Sequence, residues 1–335
     1  MTRPTRRLAV LAAATGLALG AAGCGATDAL VGRHAAPTER TAAAPLDAEG
    51  ATAVASRLLG AAQAAATATG KKGHAARAEV LAGDALTVAD TAAARGLADD
   101  ATEDLARGPE PTVLAQSQGR SWPRAILATT LEKSTSTQYL HVMVSRAAAK
   151  PYRIEASVPM LGGAEVPSLG EAGAGAPLVE VGAGKGLVMS PGKAFAAYAR
   201  ALARPAPKKT PAGVVADDPF ATALRESATA QAKALGKLAT LRQKHVPDLD
   251  HALAFRLADG GVVAFGLLRR TDTITAGSDT QELTLPKRYA ALVGTKTVES
   301  SVRLTSLEPV VLVVPTTGKV EAVGASELLS GGSGS

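Results

Sequence analysis

The sequence predicts an α+β fold in two lobes, each a helical stretch followed by an antiparallel meander. Three observations carry that expectation. Helical periodicity fills residues 47–105 and returns over 190–243, and each time short runs rich in β-branched and aromatic residues follow. The strands are bunched behind the helices, which is the order of an α+β fold and not of βαβ units. Between the halves, residues 161–186 (LGGAEVPSLGEAGAGAPLVEVGAGKG) concentrate Gly and Pro and read as an irregular connection, with a short strand at Leu178–Val181.

In chain order, Asp47 offers an N-cap, Glu49 an acid in the first turn and Gly70 a stop, with Val54, Leu58, Leu59, Ala62 and Ala65 near one face between them. A second helical region spans Ala75 to Leu105, interrupted near Gly83 and Gly96. From Pro111 the period changes. PTVLAQSQ, SWPRAILATTLE, QYLHVMVSR and PYRIEASVPML are four strand candidates. In the last, Tyr152, Ile154, Ala156, Val158 and Met160 alternate with Arg153, Glu155 and Ser157 and are expected on one face. The second half repeats the order. Ser190 to Leu202 reads as a helix, ARPAPKKTPAGVVADD as a loop, and Asp218-Pro219 opens a helix to about Gln243. Strand signals follow in HALAFRLA, GVVAFGLLRRTDTI, SSVRLTSLE, VVLVVPTT and Lys319–Val323, with Asp259-Gly260-Gly261 as a hairpin turn. Residues 330–335 read as a flexible tail. This pattern is similar to the cystatin-like and nuclear-transport-factor-like folds.

The amino terminus speaks to location. Arg3, Arg6 and Arg7 precede an apolar run from Leu8 to Gly20, and Ala21-Ala22-Gly23 lead into Cys24, the one cysteine of the chain. The stretch resembles a bacterial lipoprotein signal, with Ala21 where a lipobox usually has Leu, and Thr5-Arg6-Arg7-Leu8 resembles a loose twin-arginine signal. Cys24 is therefore the expected lipidation site, palmitate among its acyl chains. The implied organisation is a signal peptide (1–23), a tether (24–45), an N-terminal lobe (46–160), a linker (161–186), a C-terminal lobe (187–329) and the tail.

Removing residues 1–23 lowers the formal charge from +6 to +3, since that segment holds three Arg and no acid. So small an excess does not argue for nucleic acid, and aromatics at 3% leave few stacking platforms for single strands. With Cys24 acylated no thiol remains for a disulfide or a Cys-ligated metal. No asparagine occurs anywhere, and the Ala, Arg, Gly and Val bias resembles a high-GC actinobacterial proteome.

Three polar constellations are candidates for chemistry. Ser190-Pro191-Gly192-Lys193 is an S-x-x-K at a helix start, as in penicillin-interacting enzymes, yet the partner motifs S-x-N and K-T-G are missing, so a helix cap is the expected role. His245, Asp248, Asp250 and His251 lie within seven residues and offer nitrogen and oxygen ligands, although Pro247 and the switch from helix to strand point to a connecting loop. Asp99, Asp100, Glu103 and Asp104 cluster on one predicted helical turn and read as a solvated face. The sole Trp, in Gly119-Arg120-Ser121-Trp122-Pro123-Arg124, is either a core plug or the rim of a pocket.

That stretch, the strand Tyr152–Met160 and the lipobox together resemble the uncharacterised secreted lipoproteins of Streptomyces and related actinobacteria. The resemblance implies location and fold and carries no activity. The expectation is a non-catalytic lipoprotein, held to the outer face of the cell membrane through Cys24, that binds a small ligand, a wall component or a protein partner. No cofactor and no nucleic acid are expected. The alternative is a hydrolase of wall or exported substrates using Ser190 and Lys193, or the cluster from His245 to His251. A transporter's solute-binding protein ranks third, because the repeated βαβ units are missing.

Overall fold

The computed structural model describes residues 43–96 and 110–335, and Ala42–Ser335 forms one compact unit. The signal peptide, Cys24, most of the tether and the acidic cluster Asp99–Asp104 lie outside the described residues. Among the described residues the fold is α+β, with antiparallel sheets that do not close into a barrel.

Three helices come first: α1 (Ala48–Ala66), α2 (Gly70–Val80) and α3 (Gly83–Arg95). The Asp47 side chain accepts from Gly50 N at 2.7 Å and caps α1 as predicted. A meander of β1 (Thr112–Gln116), β2 (Arg124–Glu132), β3 (Thr137–Ser145) and β4 (Arg153–Pro159) follows, paired in that order. The buried stripe Ala51, Ala55, Leu58, Leu59 and Ala62 on α1 packs on Ile126, Ala128, Met143 and Ile154 of this sheet. Alanine at most contact positions lets the helix lie close to the strands.

The second half repeats the plan. After the two-residue strand β5 (Leu178–Val179) come helices α4 (Pro191–Ala201) and α5 (Pro219–Leu235). Next are the long strands β6 (Ala239–Arg256) and β7 (Val262–Ala276), and a small excursion of β8 (Leu283–Thr284), α6 (Lys287–Val293) and β9 (Thr297–Val298). Strands β10 (Ser301–Val314), β11 (Glu321–Ala325) and β12 (Leu328–Gly334) finish the chain. The sheet runs β11-β10-β7-β6-β5, with β12 also on β10. The predicted turn at Asp259 joins β6 to β7, its carboxylate accepting from Gly261 N at 2.8 Å.

The two sheets meet face to face. Leu127, Leu140 and Val158 of the first pack with Phe255, Phe265 and Val311 of the second. On its far face the second sheet is covered by α4 and α5 through Phe195, Tyr198 and Leu224. The layers are thus helix, sheet, sheet, helix. Gly266 is small for a reason: a Cβ there would stand 2.9 Å from Phe195 Cζ, so Phe195 presses straight onto the sheet. Both edges of the sandwich are stitched. Leu161 N donates to Val323 O, and Gln118 N donates to Ala176 O, where the chain crosses toward β5.

Four expectations need correction. Residues 330–335 are no loose tail: Ser330–Gly334 belong to β12, paired with Val302–Thr305, and Ser335 exchanges backbone hydrogen bonds with Ser301. Small polar residues there can lie flat against β10. The predicted helix to Gln243 ends at Leu235, with Gly236 as its cap, and residues 245–251 run inside β6 instead of forming a loop. Pro247 is tolerated because the outer edge of β6 is unpaired there, between the bridge at Arg204–Gln243 and the pairing with β5. The runs SSVRLTSLE and VVLVVPTT are one strand despite Pro309. The Pro309 carbonyl accepts from Ser326 N on the outer side, so its missing N–H would have pointed into the gap between β11 and β12. Finally, the alternation over residues 152–160 breaks. A bulge at Glu155 turns Ile154 toward the helices and Ala156 and Val158 toward the second sheet.

Candidate functional site: a cleft between the sheets

The β1–β2 connection is pinched at its base, where Ser117 N donates to Ala125 O and Ser117 Oγ accepts from Ala125 N. That closure projects Gly119–Pro123 as a compact loop with a cis bond between Trp122 and Pro123. Trp122 is 37% exposed, and the Arg124 guanidinium stands 4.5 Å from its ring centroid. Trp122 is therefore no core plug; it rims a cleft of about 500 Å³.

The facing wall is the extended stretch Pro177–Val181. It is fixed at both ends, Pro177 O accepting from Arg256 N and Val181 O from Gly192 N. Ala252 and Leu253 form part of the lining where β6 bulges between Asp248 and Leu253. Arg146 enters from the end of β3, held by a two-pronged contact to buried Glu155, with Nε 2.8 Å from Oε1. Glu180 adds an opposite charge. The cleft thus presents an aromatic and proline wall, a strand-like backbone and two charges. Its only lining hydroxyl, Ser121, has no His, Asp, Lys or Cys among the lining residues.

The predicted chemical constellations do not assemble. Ser190 is the N-cap of α4, its Oγ accepting from Lys193 N at 3.4 Å. The four residues from His245 to His251 diverge. His245 points into the helix-covered face of the sheet, its Nδ1 2.8 Å from Glu308 Oε2, whereas Asp248 accepts from Arg269 Nε at 2.7 Å and Asp250 and His251 are exposed. Strand alternation and the bulge send them to different faces. Among the described residues no group of three His, Cys, Asp or Glu is placed to hold a metal ion.

Three polar features escaped the sequence reading. Glu308, fully buried, accepts from Arg270, which also bonds Glu327 and Ser306; with His245 they make an ionic cluster amid the helix-covered face. Burial works against the Arg270 charge, but Asp272, Glu308 and Glu327 together raise its pKa. His141, fully buried, lies between Thr130 Oγ1 (2.8 Å) and Ser157 Oγ (3.0 Å), and burial lowers its pKa to about 4. Asp84 lines a small cavity of about 60 Å³ under α3, and burial, partly offset by His251, raises its pKa to about 6. That cavity has room for a few waters at most, whereas the Trp122 cleft is of the size of a small-molecule site. Glu308 had a signal in hindsight: a lone carboxylate inside an apolar strand run needs a buried partner.

These features define an α+β sandwich with a ligand-sized cleft between its sheets. Residues 116–331 match the family model described as Domain of unknown function (DUF8094), a span of more than half the chain, and the chain belongs to that family. The matched span takes in β2 to β11 and leaves out α1–α3. No curated protein and no solved structure matches the chain.

Proposed function

We propose that the protein is a non-catalytic, lipid-anchored lipoprotein of the cell envelope that binds a small ligand in the Trp122 cleft. The cleft carries this reading. At about 500 Å³ it falls within the range of small-molecule sites. It combines apolar walls with a few polar groups, as binding sites do. The anchor at Cys24 rests on the lipobox-like start of the chain, and with it the extracytoplasmic location. Ser190, the nucleophile of the hydrolase alternative, already caps α4, which favours binding over catalysis.

Trp122 is the one tryptophan of the chain and so reports on the cleft directly. Its emission, followed while envelope glycans, peptides and lipid headgroups are titrated, should shift saturably with at least one of them. Ala252→Phe, which fills the cleft, should abolish that response. The reading fails if no compound shifts the emission, or if the filled variant responds as the wild type does.

A further inference from the structure

Beyond the sandwich, β6, β7 and β10 continue as a ribbon with β12 paired along the far edge of β10, and its two faces differ sharply. Leu241, His245, Ile274 and Leu304 on one face are buried. The opposite face carries two adjacent cross-strand rows, Arg242–Thr273–Arg303 and Lys244–Thr271–Thr305. Arg242, Lys244 and Arg303 are exposed, and among the described residues none of them forms an ion pair. Arg269, in the next row, is already paired with Asp248. With strands about 4.8 Å apart, Arg242 and Arg303 stand about 10 Å from one another, and Lys244 is one row, about 7 Å, along the strand.

We propose that this face docks on an anionic lipid bilayer, with its cations and the Thr271 and Thr273 hydroxyls against the phosphate headgroups, the Thr305 hydroxyl being engaged by Ser330 Oγ. The cations form a two-dimensional grid on a pleated surface, not a line along a groove, which suits a plane of phosphates better than a linear polyanion. The rows hold no aromatic side chain for stacking on bases or sugar rings. Val246, 45% exposed, is the large apolar side chain beside them, so attraction is electrostatic and without insertion. A second copy is a poor occupant, because a two-fold contact would set cation against cation. The inference rests on the envelope reading only for which membrane is meant.

The test uses residues 25–335, which contain the whole compact unit Ala42–Ser335 and lack Cys24, so a failed anchor and a failed docking face are read separately. Co-sedimentation is measured with vesicles of equimolar phosphatidylglycerol and phosphatidylcholine, and with phosphatidylcholine alone. The protein should bind the anionic vesicles only and leave them at about 1 M salt, where the screening length falls to about 3 Å. The triple variant Arg242→Gln, Lys244→Gln, Arg303→Gln should bind about a hundredfold more weakly, at about fivefold per cation. The control Lys133→Gln, Lys208→Gln, Lys209→Gln, also at exposed positions, should bind as the wild type. Circular dichroism checks that each variant is folded. Equal binding to neutral vesicles, or equal losses in the triple variant and the control, would overturn the proposal. Capture of long-chain polyphosphate without vesicle binding would instead give the face to a linear polyanion.

Discussion

Asp84 and His141 pull the pH dependence of stability in opposite directions. Burial raises the Asp84 carboxyl from its ordinary 3.8 to about 6. Between those values the folded protein holds the proton and the unfolded chain has lost it, so stability falls as pH rises from about 4 to about 6. Burial lowers His141 from 6.5 to about 4, so there the unfolded chain protonates first and stability falls as pH drops through that window. Each contribution is on the order of 3 kcal/mol, and in the wild type the two nearly cancel. Asp84→Asn should expose the His141 slope, gaining up to about 3 kcal/mol over the wild type at pH 7 and little at pH 4. Urea unfolding at the two pH values reads this directly; equal changes in wild type and variant would refute the assignment. Ser190→Ala should cost about 1 kcal/mol and leave ligand binding intact. Covalent capture of Ser190 by a fluorophosphonate or β-lactam probe would return it to the role of nucleophile.

At the scale of elements, the ionic cluster fastens three strands where apolar packing gives way to charge. His245 comes from β6, Arg270 and Asp272 from β7, and Ser306 and Glu308 from β10. Removing Glu308 takes the carboxylate from buried His245 and one of three carboxylates from Arg270, so Glu308→Ala should destabilise by about 3 kcal/mol. A loss below about 1 kcal/mol on denaturant unfolding would mean that the cluster is solvated. This cluster also marks where sequence reading ran out. Caps and hairpin turns were legible because Asp47, Ser190, Asp218 and Asp259 act on backbone groups within three residues. The helix and strand runs were legible from their periods. The bulge at Glu155, the pairing of β12 and the meeting of His245 with Glu308 were not, because each depends on a strand distant in sequence or on a register that composition leaves open. In the cleft, Trp122 stood out as the lone tryptophan, whereas Arg146, Glu180 and Ala252 are ordinary residues until the two sheets bring them together.

On the scale of the whole molecule, two helix-covered sheets sharing one core leave a cleft at one edge of their interface and a cationic ribbon face beyond it. Among the described residues no helix is long and apolar enough to cross a membrane; in the proposed function the anchor is the lipid at Cys24. Each buried methylene of such a lipid contributes about 0.8 kcal/mol, and two or more chains hold a protein firmly. Cys24→Ala should accordingly release the protein from the membrane fraction after a high-salt wash, which also removes any attraction through Arg242, Lys244 and Arg303. The most direct measurement is the intact mass of the protein extracted from its own membrane. A lipid-anchored protein should give a chain that begins at Cys24 and carries a diacylglyceryl group; a chain that retains residues 1–23, or one that begins at Cys24 without lipid, would rule the anchor out.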